Sequence, residues 1–280
     1  MSVYEETVRI HLLPSFANCH CICEKNAQQF VLSKIGEGLS QKSIKDMIVV
    51  LKMICVFGRK NRILKYEPFD ITYPANEARK EMPIITRSEQ RKLLNQLSGD
   101  SSNKAIGIIV CLFTGLRIGE ICALTVEDID FSLREITVSK TVQRIYSPCG
   151  KKRTKIIITE PKTPSSWRRV PISSNLFPLL KEKCSNLEPG SYLLSGNQNP
   201  IEPRTYRKYF DKILLSIKIG HVNFHALRHT FATRCIESNS DYKTVSCLLG
   251  HSNISTTLNL YVHPNKEQKR KCVERMIKSL

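Results

Sequence analysis

Residues 105–120 have the sequence AIGIIVCLFTGLRIGE, and this stretch decides the architecture that we expect for the chain. The almost uniformly apolar residues 105–113 predict a buried helix, and Gly115 is placed to end it. Arg117 follows directly between two apolar residues, so we expect it to project from a buried framework and to need a partner there. Glu120, three residues on, either orients Arg117 or a neighbouring site residue, or is an ordinary carboxylate on a helix surface.

The flanking sequence predicts a mainly α fold with one small antiparallel β-sheet. Upstream, Thr86 and Glu89 form a capping box that begins a helix over 88–97. Downstream, alternating β-branched and polar residues predict strands at 134–140, 155–159 and 167–172. Helical periodicity then returns and predicts helices over 176–184, 204–217, 227–237, 242–249 and 256–261.

The chain of 280 residues is long enough for two domains. Near its start, apolar residues at three- and four-residue steps predict a helix over 40–57 with Ser40 as its cap, and a shorter helix around 27–35. Three prolines between residues 68 and 83 then mark a linker. We therefore expect a small helical domain at 1–75, a linker at 76–83, a second domain at 84–264 and a tail at 265–280.

The charge of the chain favours a polyanionic partner. The net charge is +18, and residues 83–280 carry 31 Lys and Arg against 16 Asp and Glu. Such an excess by itself leaves DNA, RNA and an acidic membrane open. The longest apolar runs, such as Ile106–Phe113, are far short of the roughly 20 residues of a membrane span, and no secretory signal is visible at the start. We expect a cytoplasmic protein.

The eleven cysteines predict reduced thiols and no disulfide framework, because their number is odd and most of them sit singly in apolar contexts. The run Cys19-His20-Cys21-Ile22-Cys23 invites a metal interpretation. Structural zinc sites usually need two separated ligand pairs, and no second pair follows at a suitable distance. We predict no metal and no cofactor.

Two motifs contribute imidazoles, and one of them pairs its imidazole with a guanidinium. His225 and Arg228 are three residues apart at the expected start of a helix, where they share one face and where backbone amides also favour an anion. His251 follows a Leu-Gly pair. Each motif taken alone is more often incidental, but a phosphodiester is the natural occupant of their combination.

Tyr261 is the candidate nucleophile. An aromatic residue on an apolar helix face is usually part of a core, and a phenol with a reference pKa near 10 is only about one part in a thousand ionised at neutral pH. Two guanidiniums and an imidazole nearby would favour the phenolate and accept its proton. The other motifs provide that environment.

The strand region from 140 to 169 is strongly basic, with Glu160 as its one acidic residue. Lys162 lies in a tight turn between two prolines, from which its ammonium could donate a proton to a departing alkoxide. The other basic residues are predicted phosphate contacts that set affinity and salt dependence: Lys140, Arg144, Lys151, Lys152, Arg153, Lys155, Arg168 and Arg169.

Taken in order, these motifs resemble those of the tyrosine recombinases, also called phage integrases, especially those of conjugative transposons and related mobile elements. The resemblance covers about residues 84–263, and more loosely the helical domain before them. It implies catalytic roles for six positions: Arg117, Lys162, His225, Arg228, His251 and Tyr261. Each of them holds the residue that the family prefers, and Glu120 is expected to support them.

The resemblance also implies a mechanism without metal or ATP. Tyr261 attacks a DNA phosphate to give a 3′-phosphotyrosyl intermediate and a free 5′-hydroxyl, while Arg117 and Arg228 hold the nonbridging oxygens. Lys162 donates the proton to the leaving 5′-oxygen, and His225 is the base for the tyrosine. His251 donates a hydrogen bond to the phosphate. The 5′-hydroxyl of a partner strand then reverses the step and completes strand exchange.

The implied partners are double-stranded DNA, further copies of the chain in a tetramer on DNA, and DNA-bending accessory proteins, with a monomer expected when the protein is free. A core-binding domain at 1–75, similar to a SAM domain, and a catalytic domain at 84–264 would clamp the duplex. The tail at 265–280 looks like a helix that docks on a neighbouring protomer, or is an ordinary surface helix. The core-binding domain looks shortened at its start, because related proteins often begin with an arm-site domain and a further helix.

Two other functions stay open at this level. A type IB topoisomerase would share the chemistry but relax supercoils without joining different partners. A non-catalytic DNA-binding regulator would use the helical segments alone.

Overall fold

The computed structural model describes residues 2–19, 21–64, 66, 68–74, 83–147, 154–160 and 166–261, together with 270, 273, 274, 276 and 277. The chain divides into two compact units, Met1–Lys80 and Glu81–Leu280. The predicted strands and helices of residues 84–261 all fall within the second unit.

The first unit is helical. Ser40 caps its longest helix by accepting a hydrogen bond from the Ser43 amide at 3.1 Å, and the predicted apolar positions of that helix, such as Ile44 and Cys55, are fully buried. The prediction of a helix over 40–57 is therefore confirmed, with three more residues at its end. The elements of this unit are α1 (Ser2–Thr7), a π-helical segment (Val8–Leu12), α2 (Leu13–Phe16), α3 (Glu24–Gly36) and α4 (Gln41–Lys60).

The helical run from residue 2 to 16 was missed by the sequence analysis. Of its described large apolar side chains, Tyr4, Ile10 and Leu13 are exposed, whereas Leu12 and Phe16 are buried. An apolar stripe this incomplete gives little helical periodicity, so the pattern did not predict the element.

The second unit contains more helices and the strands. Its helices are α5 (Arg87–Ser98), α6 (Asn103–Thr114), α7 (Ile118–Ala123), α8 (Phe177–Ser185), α9 (Pro203–Ser216), α10 (His225–Glu237), α11 (Tyr242–Leu249) and α12 (Ile254–Tyr261). Its strands are β1 (Ile129–Asp130), β2 (Glu135–Val138), β3 (Thr141–Tyr146), β4 (Thr154–Thr159) and β5 (Arg168–Pro171), and a 3-10 turn lies at Val126–Asp128.

Helix α6 is the centre of this unit, as its composition predicts. Ile108, Val110 and Cys111 have no exposed surface, and α5, α7, α8, α9 and α10 all pack against the helix. Thr86 and Glu89 form the predicted capping box at the start of α5, with the Thr86 amide donating to the Glu89 carboxylate at 2.8 Å. The core around α6 gives α7 and α10 a fixed support.

The strands form two antiparallel sheets, so the prediction of a single sheet is corrected. One sheet has the order β1-β2-β5, and the other is the β3-β4 hairpin. Arg134 has a left-handed φ of 55° and lies before β2, while residues 139–140 separate β2 from β3. The extended conformation is interrupted at both ends of β2, so the strand is shorter than the predicted 134–140. β2 pairs with β5, whereas β3 pairs with β4.

No helix in the described part of the chain is long and apolar enough to cross a membrane. The described cysteines are free thiols, and Cys19, Cys21 and Cys23 are exposed. Among the described residues no group of three potential ligands is arranged to hold a metal ion; His20 lies outside them.

Candidate active site

Gly115 and Arg117 form the junction between α6 and α7. Gly115 ends α6 with a left-handed φ of 68°, and its amide donates to the Cys111 carbonyl at 2.9 Å. Any Cβ here would lie 2.6 Å from the Phe231 ring, so the position requires glycine for space as well as for conformation. Arg117, two residues later, is the cap residue of α7, and about a third of its side chain is exposed.

Glu120 holds Arg117 through two contacts. Its carboxylate accepts the Arg117 amide at 2.8 Å and Nη1 of the same guanidinium at 2.8 Å. Only 7% of the Glu120 side chain is exposed, so the alternative of an ordinary surface carboxylate is wrong. The carboxylate orients Arg117, which is one of the interpretations that the sequence left open.

Arg168 corrects a sequence prediction. It was expected to contact DNA phosphate, but only 6% of its side chain is exposed, and its Nη1 and Nη2 donate to Glu120 at 3.1 and 2.9 Å. Burial by itself would raise the pKa of Glu120. The hydrogen bonds and charge of Arg168, followed by the charge of Arg117, outweigh burial and lower that pKa to about 2.

Arg228 is buried at the start of α10, with 1% of its surface exposed. Its Nη1 donates to the Gly115 carbonyl at 2.9 Å and its Nη2 to the Leu249 carbonyl at 2.6 Å. Two carbonyls on different elements thus fix the plane of the guanidinium. His225, at the first position of the same helix, remains accessible to solvent.

The end of α11 brings three arginines together. The carbonyls of the last residues of a helix have no partner within the helix, and three consecutive ones accept guanidinium N–H groups here. Leu248 accepts Nε of Arg168 at 2.7 Å, Leu249 accepts Nη2 of Arg228, and Gly250 accepts Nη2 of Arg117 at 3.3 Å. The C-terminal end of a helix also carries partial negative charge, which stabilises these cations.

His251 follows this helix end, where Gly250 takes a left-handed φ of 64°. Its Nδ1 lies 2.8 Å from Oγ1 of the fully buried Thr257. Burial and then the charges of Arg228 and Arg117 lower the pKa of His251 to about 4. The imidazole is therefore neutral at neutral pH, and Thr257 fixes its orientation.

His225 is also neutral in the free protein. Partial desolvation, followed by the charges of Arg228 and Arg117, lowers its pKa to about 4 although the side chain is accessible to solvent. His229 meets the ring edge-on, with centroids 4.5 Å apart, and burial lowers the pKa of His229 to about 4 as well. His229 is not among the residues predicted from the sequence, although its place one helical turn after His225 is a usable signal.

The structure thus brings together Arg117, His225, Arg228 and His251, with Glu120 behind Arg117. Tyr261 is the last residue of α12, which begins three residues after His251. The side chain of Tyr261 lies outside the described residues, as does the whole of Lys162. The roles of these two residues stay predictions.

Of the other predicted phosphate contacts that the structure describes, three lie on or beside the β3-β4 hairpin, Lys140, Arg144 and Lys155, and Arg169 lies on β5. Lys155 is exposed, whereas Lys140 and Arg169 are ion-paired with Asp128 at 3.4 Å and Glu135 at 3.7 Å, and Arg144 is ion-paired with Glu202. Both arginines and Lys140 still expose at least a third of their side chains. Lys151, Lys152 and Arg153 lie outside the described residues.

Comparison with known proteins identifies the family. The model of the phage integrase family matches residues 83–268, about two thirds of the chain. The chain belongs to the phage integrase family. It is a tyrosine recombinase, an enzyme of site-specific DNA recombination, and the resemblance inferred from the motifs is confirmed.

Two relatives of this recombinase illustrate the match. It is 34% identical over 270 residues to a XerC-like tyrosine recombinase of Caldanaerobacter subterraneus subsp. tengcongensis, covering 88% of this chain and 68% of that protein. It is 30% identical over 244 residues to the ICEBs1 integrase of Bacillus subtilis, covering 82% of this chain and 64% of that one. The chain spans about two thirds of the length of these relatives.

The fold of the recombinase is also similar to a solved structure. The Tn1549 transposon integrase, determined in complex with a circular intermediate DNA, superposes with a TM-score of 0.80 at 26% identity. The match covers 97% of this chain and 92% of that one. Because these relatives are recombinases and integrases, neither the topoisomerase nor the regulator alternative is favoured.

Proposed function

We propose that this recombinase cuts and rejoins duplex DNA at a phosphate held by Arg117, Arg228, His225 and His251, with Tyr261 as the nucleophile. The observation that carries the proposal is the convergence of two oriented guanidiniums and two neutral imidazoles from three separate segments of one unit. A scissile phosphodiester supplies the negative charge that this arrangement lacks.

The two arginines would bind the nonbridging oxygens of the phosphate. Each guanidinium is already fixed by protein acceptors, Arg117 by Glu120 and Gly250 and Arg228 by Gly115 and Leu249. Donors fixed in advance need no reorganisation as charge builds on the oxygens in the transition state, and that is where such groups contribute most to rate.

The neutral imidazoles suit two different tasks. His225 is unprotonated and so able to take the proton of the Tyr261 hydroxyl as its oxygen attacks phosphorus. For His251 we assign the tautomer in which the Thr257 hydroxyl donates to Nδ1, which leaves the proton on Nε2 to donate to a phosphate oxygen. A bound phosphate would offset the arginine charges and raise the pKa of both rings.

The chemical step then balances without metal or nucleotide. The Tyr261 oxygen bonds to phosphorus, the bond to the 5′-oxygen breaks, and the Lys162 ammonium supplies the proton to that oxygen. The phosphotyrosyl ester retains the energy of the broken bond, so a 5′-hydroxyl from a partner strand can reverse the step. In this scheme the partner strand comes from a second DNA site held by further copies of the chain.

A tetramer on DNA belongs to the same proposal. Val273, Met276 and Ile277 repeat at helical spacing in the otherwise basic tail, and each exposes more than half of its surface. An apolar stripe of this kind suits a contact with a neighbouring protomer. Accessory proteins that bend the DNA would serve to bring the sites together.

Covalent trapping tests the nucleophile. Nicked suicide duplexes made from the DNA flanking the gene should yield a covalent adduct with the wild-type chain, and mass spectrometry should locate it on Tyr261. Tyr261→Phe should bind the same duplex and give no adduct, whereas Tyr242→Phe on α11 is the matched control and should behave as wild type. An adduct with Tyr261→Phe, or binding by the wild-type chain without any adduct, would exclude the proposed chemistry.

A second assay separates strand exchange from relaxation. A plasmid with two marked sites should yield recombinant products, and not only topoisomers of the starting plasmid. Relaxation without recombinants would favour the topoisomerase alternative.

A further inference from the structure

Arg168 lies outside the six positions assigned to catalysis, yet its contacts join two parts of the site to the segment before β5. Its Nη1 and Nη2 form the two-pronged pair with Glu120, its Nε donates to the Leu248 carbonyl at 2.7 Å, and Nη1 also donates to the Ser166 carbonyl at 3.3 Å. The side chain is almost fully buried. It therefore has no route to a DNA phosphate in this structure.

The first contact acts on Arg117. One carboxylate, that of Glu120, accepts the guanidiniums of both arginines, so the place of Arg117 depends on where Arg168 holds Glu120. A planar fork fixes a carboxylate in direction as well as in distance, which a single ammonium group does not do.

The other two contacts act on two backbone segments. Leu248 begins the row of three carbonyls that leads into His251, so Nε of Arg168 anchors the start of that turn. The bond from Arg168 to the Ser166 carbonyl fixes the short segment that leads into β5. One buried side chain thus ties the supports of Arg117 and His251 together.

We propose that Arg168 is a positioning residue for DNA cleavage, which sets the relative geometry of Arg117 and the His251 turn. The expected effect on DNA cleavage rests on the proposed function. The expected effect on the geometry of the site does not. A positioning residue should affect the cleavage step at saturating DNA and leave DNA affinity nearly unchanged. Loss of a phosphate contact should mainly lower DNA affinity.

The catalytic arm compares Arg168→Met and Arg168→Lys with Arg169→Met, the exposed neighbour on the opposite face of β5. At saturating suicide duplex, Arg168→Met should slow adduct formation by about 100-fold, the usual effect of misplacing a preorganised donor, and Arg168→Lys should restore little of it. DNA affinity, measured in the Tyr261→Phe background, should change less than about threefold. Arg169→Met should instead lower affinity and reduce the slope of affinity with salt by about 1.

The structural arm needs no activity, so it separates failure of this inference from failure of the proposed function. Hydrogen–deuterium exchange of a peptide covering 246–252 should speed up in the free Arg168→Met chain and stay unchanged in Arg169→Met. Unchanged exchange, or a wild-type cleavage rate at saturation, would overturn the positioning role even if the wild-type chain proved active.

A double variant covers the case in which Arg168→Met does not fold. Adding Glu120→Gln removes a buried carboxylate that Arg168→Met leaves with Arg117 as its remaining cationic partner, so the double variant should be more stable than Arg168→Met alone. It still lacks the bonds to Leu248 and Ser166, and its cleavage should stay slow. A folded double variant that cleaves at the wild-type rate would also refute the inference.

Discussion

Glu120→Gln removes a charge that two guanidiniums share while keeping the size and shape of the side chain. The carboxylate is 7% exposed and lies at 2.8 to 3.1 Å from donors of Arg117 and Arg168. Its pKa falls from 4.5 to about 2 in the folded protein. At about 1.4 kcal/mol for each pKa unit, this lowering corresponds to about 3 kcal/mol of folding stability at neutral pH.

The pH dependence of this contribution has a definite sign. Because the pKa of Glu120 is lower in the folded state than in the unfolded state, its stabilisation is present in full above pH 4.5 and is lost as the pH falls towards 2. The difference in unfolding free energy between wild type and Glu120→Gln should therefore be about 3 kcal/mol at both pH 7 and pH 5.5. Below pH 4.5 the difference should shrink.

Trp167 makes the measurement selective, since it is the one tryptophan of the chain and precedes β5 in the second unit. Its fluorescence during denaturation by urea reports the unfolding of that unit. Glu127→Gln is the control, because Glu127 is exposed and its replacement should change stability by less than about 0.5 kcal/mol. A loss below about 1 kcal/mol for Glu120→Gln, or a loss that does not shrink in acid, would show that the shared charge is not what stabilises this site.

Four further outcomes follow from the site. Arg228→Lys should slow adduct formation on the suicide duplex by about 100-fold or more, because one ammonium cannot hold two carbonyls and a phosphate. Thr257→Val should slow single-turnover cleavage roughly threefold to tenfold by releasing His251 Nδ1. Imidazole NMR of the free protein at pH 5.5 should find His225 and His251 neutral, and DNA should shift both towards the charged form. Gly115→Ala should lower the free energy of unfolding by about 2 to 4 kcal/mol, measured by urea denaturation, since strain and overpacking combine.

Local signals in the sequence were enough to predict most of the second unit. The apolar run of α6, its stop at Gly115 and the capping box at Thr86 each depend on neighbouring residues alone, and each is confirmed. The His225 and Arg228 pair begins a helix as predicted, because a spacing of three residues defines a helix face without tertiary information.

The error at Arg168 shows what a count of charges leaves out. Arg168 and Arg169 were assigned together to a basic surface, but successive residues of a strand point to opposite faces. Val170 and Ile172 are buried, so the parity of β5 places Arg168 on the inner face and Arg169 outside. That signal was present in the sequence. The partner, Glu120, is 48 residues away, and no local pattern predicts the pairing.

The electrostatics of the site suit an anion, and protein groups compensate part of the positive charge in the free protein. Three guanidiniums near one carboxylate leave an excess of positive charge, and burial of such an excess is costly unless acceptors compensate it. The carbonyls at the end of α11 provide that compensation as fixed dipoles, which orient the arginines but do not neutralise them. Burial, followed by this remaining positive field, keeps His225 and His251 unprotonated. The field thus helps to keep the imidazoles available for proton transfer, and a bound phosphate would neutralise it, so binding and chemistry share one arrangement of charges.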